Sequence, residues 1–300
     1  MSNDAAVIPL NEYVGHEQIV QFLSEQIKGA KALGKPLQNI LFSGLPGLGK
    51  TTLAHSIAAE IGSKIHSLSG KKQLTSRDLS ELAPRLNALD VLFIDEIHAT
   101  SPAFQEALQR LSDGYVPKFE IHPITGRTTI VGETTVAPIT LIGASDRPGI
   151  LLKALKSRFG PTLTLLPYPI NKMKIIVRHH ACRLAFTLTD DAITAIASVS
   201  KGVPRTAEQQ LRELQNYAAA KQLTDLSLGN VQDFLRTRQI DALGLNELDR
   251  TYLRHVAACG KKGAKLMGLA AVLTCDSTHI QRDLEPVLQQ MGLIQIDNRR

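Results

Sequence analysis

The sequence predicts an α/β protein: a doubly wound parallel sheet, then an all-α region, then a small C-terminal module of winged-helix type. Three observations carry this. Short apolar runs at 40–43, 64–68, 91–94, 139–142 and 162–166 alternate with helical patterns, as strands covered by helices do. From about residue 170 the strand signal disappears and helical periodicity takes over, through 170–186, 190–200, 204–222 and 228–238. From about 244, short helical stretches close on the strand-like Gly292-Leu293-Ile294-Gln295-Ile296.

Each element has a local reason. Between Glu17 and Lys31, Ile19, Val20, Leu23 and Ile27 recur at helical spacing, and Gly34-Lys35-Pro36 ends the helix. The run Asn39-Ile40-Leu41-Phe42-Ser43 reads as a buried strand. After the glycines that follow it, Leu53, Ile57 and Ile61 predict a helix stopped by Gly62. Residues 115–138 alternate, turn at Pro123-Ile124-Thr125-Gly126 and alternate again, which predicts a hairpin inserted before the next strand. It is either a partner-contacting arm or a structural extension. Pro204 suits a first helical turn, and Ala207, Leu211, Leu214 and Ala218 form one stripe behind it. The third region begins with Leu245-Asn246-Glu247-Leu248-Asp249, an N-cap candidate before a helix.

Composition sets the outer bounds. Three hundred residues, 43% hydrophobic, support two or three domains, and a net charge of +6 mildly favours polyanionic partners. Tryptophan is absent and aromatics are 4%, so base-stacking platforms for single strands are not expected to dominate any nucleic-acid contact. Cys182, Cys259 and Cys275 are widely spaced and suggest neither a zinc site nor a disulfide frame. No apolar run reaches the ~18 residues of a membrane span, and residues 1–12 hold no Lys or Arg. A cytoplasmic protein without membrane contact is expected.

The stretch GLPGLGKTT joins a strand to a helix, with Gly44, Pro46, Gly47 and Gly49 before Lys50, Thr51 and Thr52. Glycine-rich backbone at a helix N-terminus cradles phosphate; Lys50 reaches the β- and γ-phosphates of a nucleotide such as ATP, and the Thr51 hydroxyl ligates Mg²⁺. Downstream, Asp90-Val91-Leu92-Phe93-Ile94-Asp95-Glu96 is a buried strand ending in two carboxylates. Asp95 suits the Mg²⁺ shell and Glu96 the general base. The strand ending Gly143-Ala144-Ser145-Asp146 offers a polar group to orient water. Arg158, in LKSRFG, is either a cation for the γ-phosphate or a surface salt bridge; Arg205, at a helix start, is either a phosphate ligand or solvent-exposed. Arg299-Arg300 reads as a basic wing tip or a frayed tail. His55, His98, His179 and His180 read as structural or exposed.

GLPGLGKTTLA, DVLFIDEIH, ITLIGASDR, LKSRFG, GVPR and DALGLNELDR, in this order over nearly the whole chain, closely resemble RuvB, the AAA+ motor of Holliday-junction branch migration. LEPVLQQMGLIQ resembles that family's winged helix. The resemblance implies an AAA+ core over 1–168, a helical lid over 169–242 and a winged helix over 243–300 with a shortened wing. It implies an ATP-driven homo-hexameric ring on duplex or four-way DNA, with nucleotide between subunits. Lys50, Thr51 and Thr52 match Walker A, and Asp95 and Glu96 Walker B; Ser145 matches sensor 1, Arg158 the arginine finger, and Pro204 with Arg205 sensor 2. Tyr13 and Val14 match the segment beside the adenine, Tyr168 a nucleotide-contacting tyrosine, and Arg299 a DNA-contacting wing arginine. The 115–138 hairpin stands where the family docks RuvA. Departures from the family are Ser145-Asp146 in place of two threonines, Gln209 in place of an arginine, and a slightly longer hairpin. The altered hairpin and shortened wing leave a second reading open, an ATP-gated switch or loader that does not translocate.

Overall fold

The computed structural model describes residues 7–121, 128–223, 225–260 and 263–296. The chain divides into two compact units, Met1–Leu166 and Pro167–Arg300.

In the first unit, α1 (Glu17–Leu33) precedes β1 (Ile40–Ser43), α2 (Lys50–Ile61), β2 (Ile65–Ser69), α3 (Ser76–Leu82), β3 (Val91–Asp95) and α4 (Pro102–Ser112). The hairpin strands β4 (Tyr115–Ile121) and β5 (Thr128–Thr135) follow, then β6 (Thr140–Ser145), α5 (Lys153–Lys156) and β7 (Thr162–Thr164). The main sheet has the order β2-β3-β6-β1-β7, every neighbouring pair parallel. Strands β1, β3 and β6 read as near-continuous apolar runs because helices cover both faces. Leu41, Leu92, Ile94 and Leu141 meet Phe104, Leu108 and Leu155 in one buried cluster. Strand β7 stops at Thr164, short of the predicted 166.

The hairpin is antiparallel, with a register shift between Lys118 and Phe119. Its base is anchored: Val116 is buried in the core cluster, and the Ser80 hydroxyl donates to the Pro117 carbonyl at 2.5 Å. Further out, Ile130 and Val131 are exposed. The predicted turn at 123–126 lies outside the described residues.

The second unit holds α6 (Ile170–Arg183), α7 (Asp190–Val199), α8 (Pro204–Ala220) and α9 (Leu228–Thr237), then α10 (Glu247–Cys259), α11 (Leu266–Leu273), α12 (Ser277–His279) and α13 (Glu285–Gln290), with a π-helical stretch Ile280–Leu284 before the last. The predicted stripe on α8 is buried at all four positions. The strand signal does not vanish after 170 as expected: β8 (Thr187–Leu188) pairs in parallel with β9 (Asp225–Leu226). Two residues per strand are too few for a periodicity to reveal. Asn246 caps α10 by accepting the Asp249 N–H at 2.9 Å, and Lys201 Nζ pairs with Asp249 at 2.7 Å. Leu245, Tyr252, Leu269, Ile280 and Leu288 form the last core. The strand expected at 292–296 is absent: 294–296 have no ladder partner among the described residues, and an apolar run without a second strand does not become one.

A candidate nucleotide site at the C-terminal edge of the sheet

The ends of β1, β3 and β6 lie side by side. Ser43 is level with Ser145, and Asp95 with Ser69. In an open α/β sheet this edge is where ligands sit. Between β1 and α2 the chain turns through Gly44, Pro46 and Gly47, pinned by the fully buried Leu48, and enters α2 from Gly49 at φ 97°. Gly44 has no substitute, since its φ is 139° and a Cβ would stand 2.4 Å from the Leu165 carbonyl oxygen. Lys50 is 9% exposed, and its ammonium donates to the Gly44 and Leu45 carbonyls at 2.7 and 2.9 Å. Those carbonyls hold a buried charge that would otherwise be costly. Thr51 and Thr52 are exposed on the first turn of α2. The Tyr13 hydroxyl donates to the Gly49 carbonyl at 3.4 Å, so Tyr13 and half-buried Val14 belong to the same edge. Next to them, burial holds the His16 imidazole below its usual range.

At the end of β3, Asp95 Oδ1 accepts the Glu96 N–H at 3.0 Å, and Glu96 takes the left-handed conformation at φ 52°, ψ 42°. A non-glycine residue there marks stored strain. Gly70 lies beneath: its N–H donates to the Asp95 carbonyl at 2.7 Å, and a Cβ would meet the Glu96 carbonyl oxygen at 2.2 Å. Lys71, one residue on, brings Nζ to 3.4 Å from Glu96 Oε1. Ser145 is buried at 1% exposure, and its Oγ accepts the Arg147 N–H at 2.9 Å.

Of the two readings open for His98, structural or exposed, the structure takes the first. His98 is buried beside the acidic pair, Nδ1 3.1 Å from Ser145 Oγ, Nε2 3.3 Å from Glu96 Oε2 and 3.2 Å from Asp146 Oδ1. The sequence signal was its place two residues after Glu96; nothing in periodicity brings Asp146 to it. Gly70 and Lys71 were missed for the same reason.

Arg158 takes the surface salt-bridge alternative within the chain. It is exposed and forms a two-point pair with Asp113, Nε to Oδ1 at 2.8 Å and a terminal nitrogen to Oδ2 at 3.0 Å. Hydrogen bonding to Asp113, and then its charge, holds the guanidinium above its already high range. In the second unit, Tyr168 is buried and its N–H donates to the Gly202 carbonyl at 2.9 Å. A Cβ on Gly202 would stand 2.8 Å from the Tyr168 carbonyl oxygen, so GVPR folds directly against Tyr168. Pro204 opens α8 and Arg205 is exposed beside it. Arg299 lies outside the described residues.

The donor set fits a magnesium–triphosphate group: a cradle that excludes side chains, an ammonium, a hydroxyl at a helix start and an acidic pair on the same sheet edge, one strand removed. Models of the RuvB P-loop domain, described as that of a Holliday junction DNA helicase, of the RuvB AAA lid and of the RuvB C-terminal winged helix match residues 8–165, 168–241 and 242–300. The chain belongs to the RuvB family. A Kosmotoga olearia protein named Holliday junction branch migration complex subunit RuvB is 35% identical over 291 residues, 97% of this chain and 84% of the relative. A Granulibacter bethesdensis protein of the same name is 34% identical over 95% of this chain and 79% of the relative. The solved Thermotoga maritima RuvB Holliday junction branch migration motor superimposes with a TM-score of 0.83 at 32% identity, covering 97% of this chain and 93% of that one. The AAA+ core, helical lid and winged helix are therefore the architecture of this RuvB-family protein.

Proposed function

We propose that this RuvB-family chain is an ATP-hydrolysing ring motor that moves duplex or four-way DNA in recombination and repair. One observation carries the reading: a phosphate cradle after β1 and an acidic pair at the end of β3 share one edge of the sheet, flanking the end of β6, in a chain similar to branch-migration subunits over nearly its full length. Lys50 trades the Gly44 and Leu45 carbonyls for the β- and γ-phosphates of ATP. Thr51 and Asp95 hold Mg²⁺, which neutralises phosphate charge when bound. Glu96 takes the proton of the attacking water, and Ser145 orients the reacting group. Tyr13, Val14 and Thr52 line the nucleotide beside the cradle, and the family resemblance assigns Tyr168, Pro204 and Arg205 to nucleotide contact. Arg158 leaves Asp113 and enters the site of the next subunit, so hydrolysis requires a homo-oligomer, a hexamer by family analogy.

The same proposal divides the chain at 168 and 242. It assigns Arg299 to DNA and the 115–138 hairpin, with exposed Tyr115, Ile130 and Val131, to a RuvA-like partner. It also places the action in the cytoplasm; among the described residues no helix is long and apolar enough to cross a membrane. The test is ATP turnover with and without duplex and four-way DNA, followed by strand displacement from a junction. Stimulated turnover with displacement supports the motor. Stimulation without displacement supports the ATP-gated switch instead, and failure to retain Mg-ATP in a direct titration refutes both.

A further inference from the structure

We propose that Asp146 and His98 form a positioning dyad for Glu96, with the two nitrogens of one buried imidazole linking the Ser145 hydroxyl to the hydrolytic carboxylate. The inference rests on the reading of Glu96 as the residue that activates water.

A buried imidazole has to satisfy both ring nitrogens. His98 stands on the turn Ile97–Ala99 behind the end of β3, beside fully buried Ile97. Ser145 Oγ already accepts the Arg147 N–H, which leaves its own proton to donate. Nε2 faces carboxylates, which only accept, so in the neutral ring Nε2 carries the proton and Nδ1, 3.1 Å from Ser145 Oγ, is the acceptor. The ring proton then resides on Nε2, between Asp146 Oδ1 at 3.2 Å and Glu96 Oε2 at 3.3 Å. The tautomer follows from the partners on each side of the ring.

Asp146 Oδ1 is buried without a hydrogen bond of good geometry, and besides His98 it has Arg147 Nε at 3.5 Å. A buried carboxylate oxygen in that condition is an acceptor waiting for a proton to turn toward it. Two carboxylates thus share one N–H. When Glu96 turns to water, Asp146 keeps the proton and the ring stays in place. When Ser145 is drawn to phosphate, Nδ1 loses its donor and the ring is released. A carboxylate that fixes the tautomer and tilt of a histidine acts in this way in metal sites and hydrolytic triads. Charged groups around the dyad are Asp95 and Lys71, beside Glu96, and Arg147, beside Asp146.

The test uses the purified full chain, with ATP turnover, titration of a fluorescent ATP analogue, thermal melting, and ¹⁵N-histidine spectra recorded without nucleotide. His98→Ala is expected to lower kcat about 10- to 100-fold while KM and analogue affinity stay within about twofold. His98→Gln, which returns an N–H donor near the Nε2 position, recovers part of that loss. Asp146→Asn shifts the His98 ring resonances and lowers kcat by less than His98→Ala. The double variant is no worse than His98→Ala, because the two residues act as one unit. Wild-type kcat in His98→Ala, losses that multiply in the double variant, or His98 resonances unmoved by Asp146→Asn would each overturn the dyad. Absence of turnover in the wild-type protein would refute the hydrolytic reading instead, and the resonance shift would then decide the dyad by itself.

Discussion

Two cations assigned to the same phosphate chemistry are held in opposite ways. Lys50 is buried and gripped by carbonyls of its own loop, six and five residues before it in the chain. Arg158 is exposed and held by Asp113, a carboxylate 45 residues away on the end of α4. The first arrangement is complete within one chain, and its replacement partner has to be brought into the loop. The second is an exposed ion pair, which contributes little to stability and exchanges readily. A residue kept that way is available to another molecule without unfolding anything, whereas Lys50 is available only to what enters the cradle.

The strongest test of that contrast is Arg158→Ala. It should leave ATP binding and the melting temperature unchanged while turnover falls by about 10³–10⁵. Normal activity of the variant by itself would remove the proposed finger role, and mixed rings with Lys50→Ala subunits would show whether the lost group acts across a boundary. Glu96→Gln should lower turnover by about 10²–10⁴ and retain ATP in a binding titration. Lys50→Ala should lose binding as well as turnover, which separates the cradle cation from the acidic pair. A smaller effect is expected at Asp113→Asn, which unclips Arg158: turnover rising by about two- to fivefold at low salt, with the gain shrinking as salt is added. Unchanged turnover at every salt concentration would mean that the pair restrains nothing.

The smallest effect lies away from the site. At the start of α3 the Thr75 N–H and then its hydroxyl donate to Asp78 Oδ2 at 2.6 and 2.7 Å and hold that carboxyl below its usual range. Because the folded value is depressed, the associated stability is present above the unfolded value near ~4 and is lost as pH falls through the folded one. Asp78→Asn should cost about 1 kcal/mol at neutral pH and flatten the urea-midpoint profile between pH 5 and pH 3. An unchanged profile would show that the cap is not coupled to stability.

The winged-helix end shows where pattern runs out. Gly292 to Ile296 has the composition of a strand, but 294–296 have no pairing strand among the described residues, and pairing is a property of two segments. The small β8–β9 pair is the converse, with residues too few to signal and a partner 38 positions away.

The sequence by itself determined the nucleotide cradle, the alternating core, the position of the acidic pair and the cap of α10. Each depends on neighbours within a few residues: a glycine's positive φ, an apolar run, a helix start. Tertiary structure alone decided that His98 meets Asp146 and Ser145, that Gly70 passes beneath Glu96, and that Arg158 rests on Asp113. Those contacts are set by the parallel register of β2, β3 and β6 and by the return of α4 to the sheet, and a register is an agreement between distant segments that no single window of residues contains.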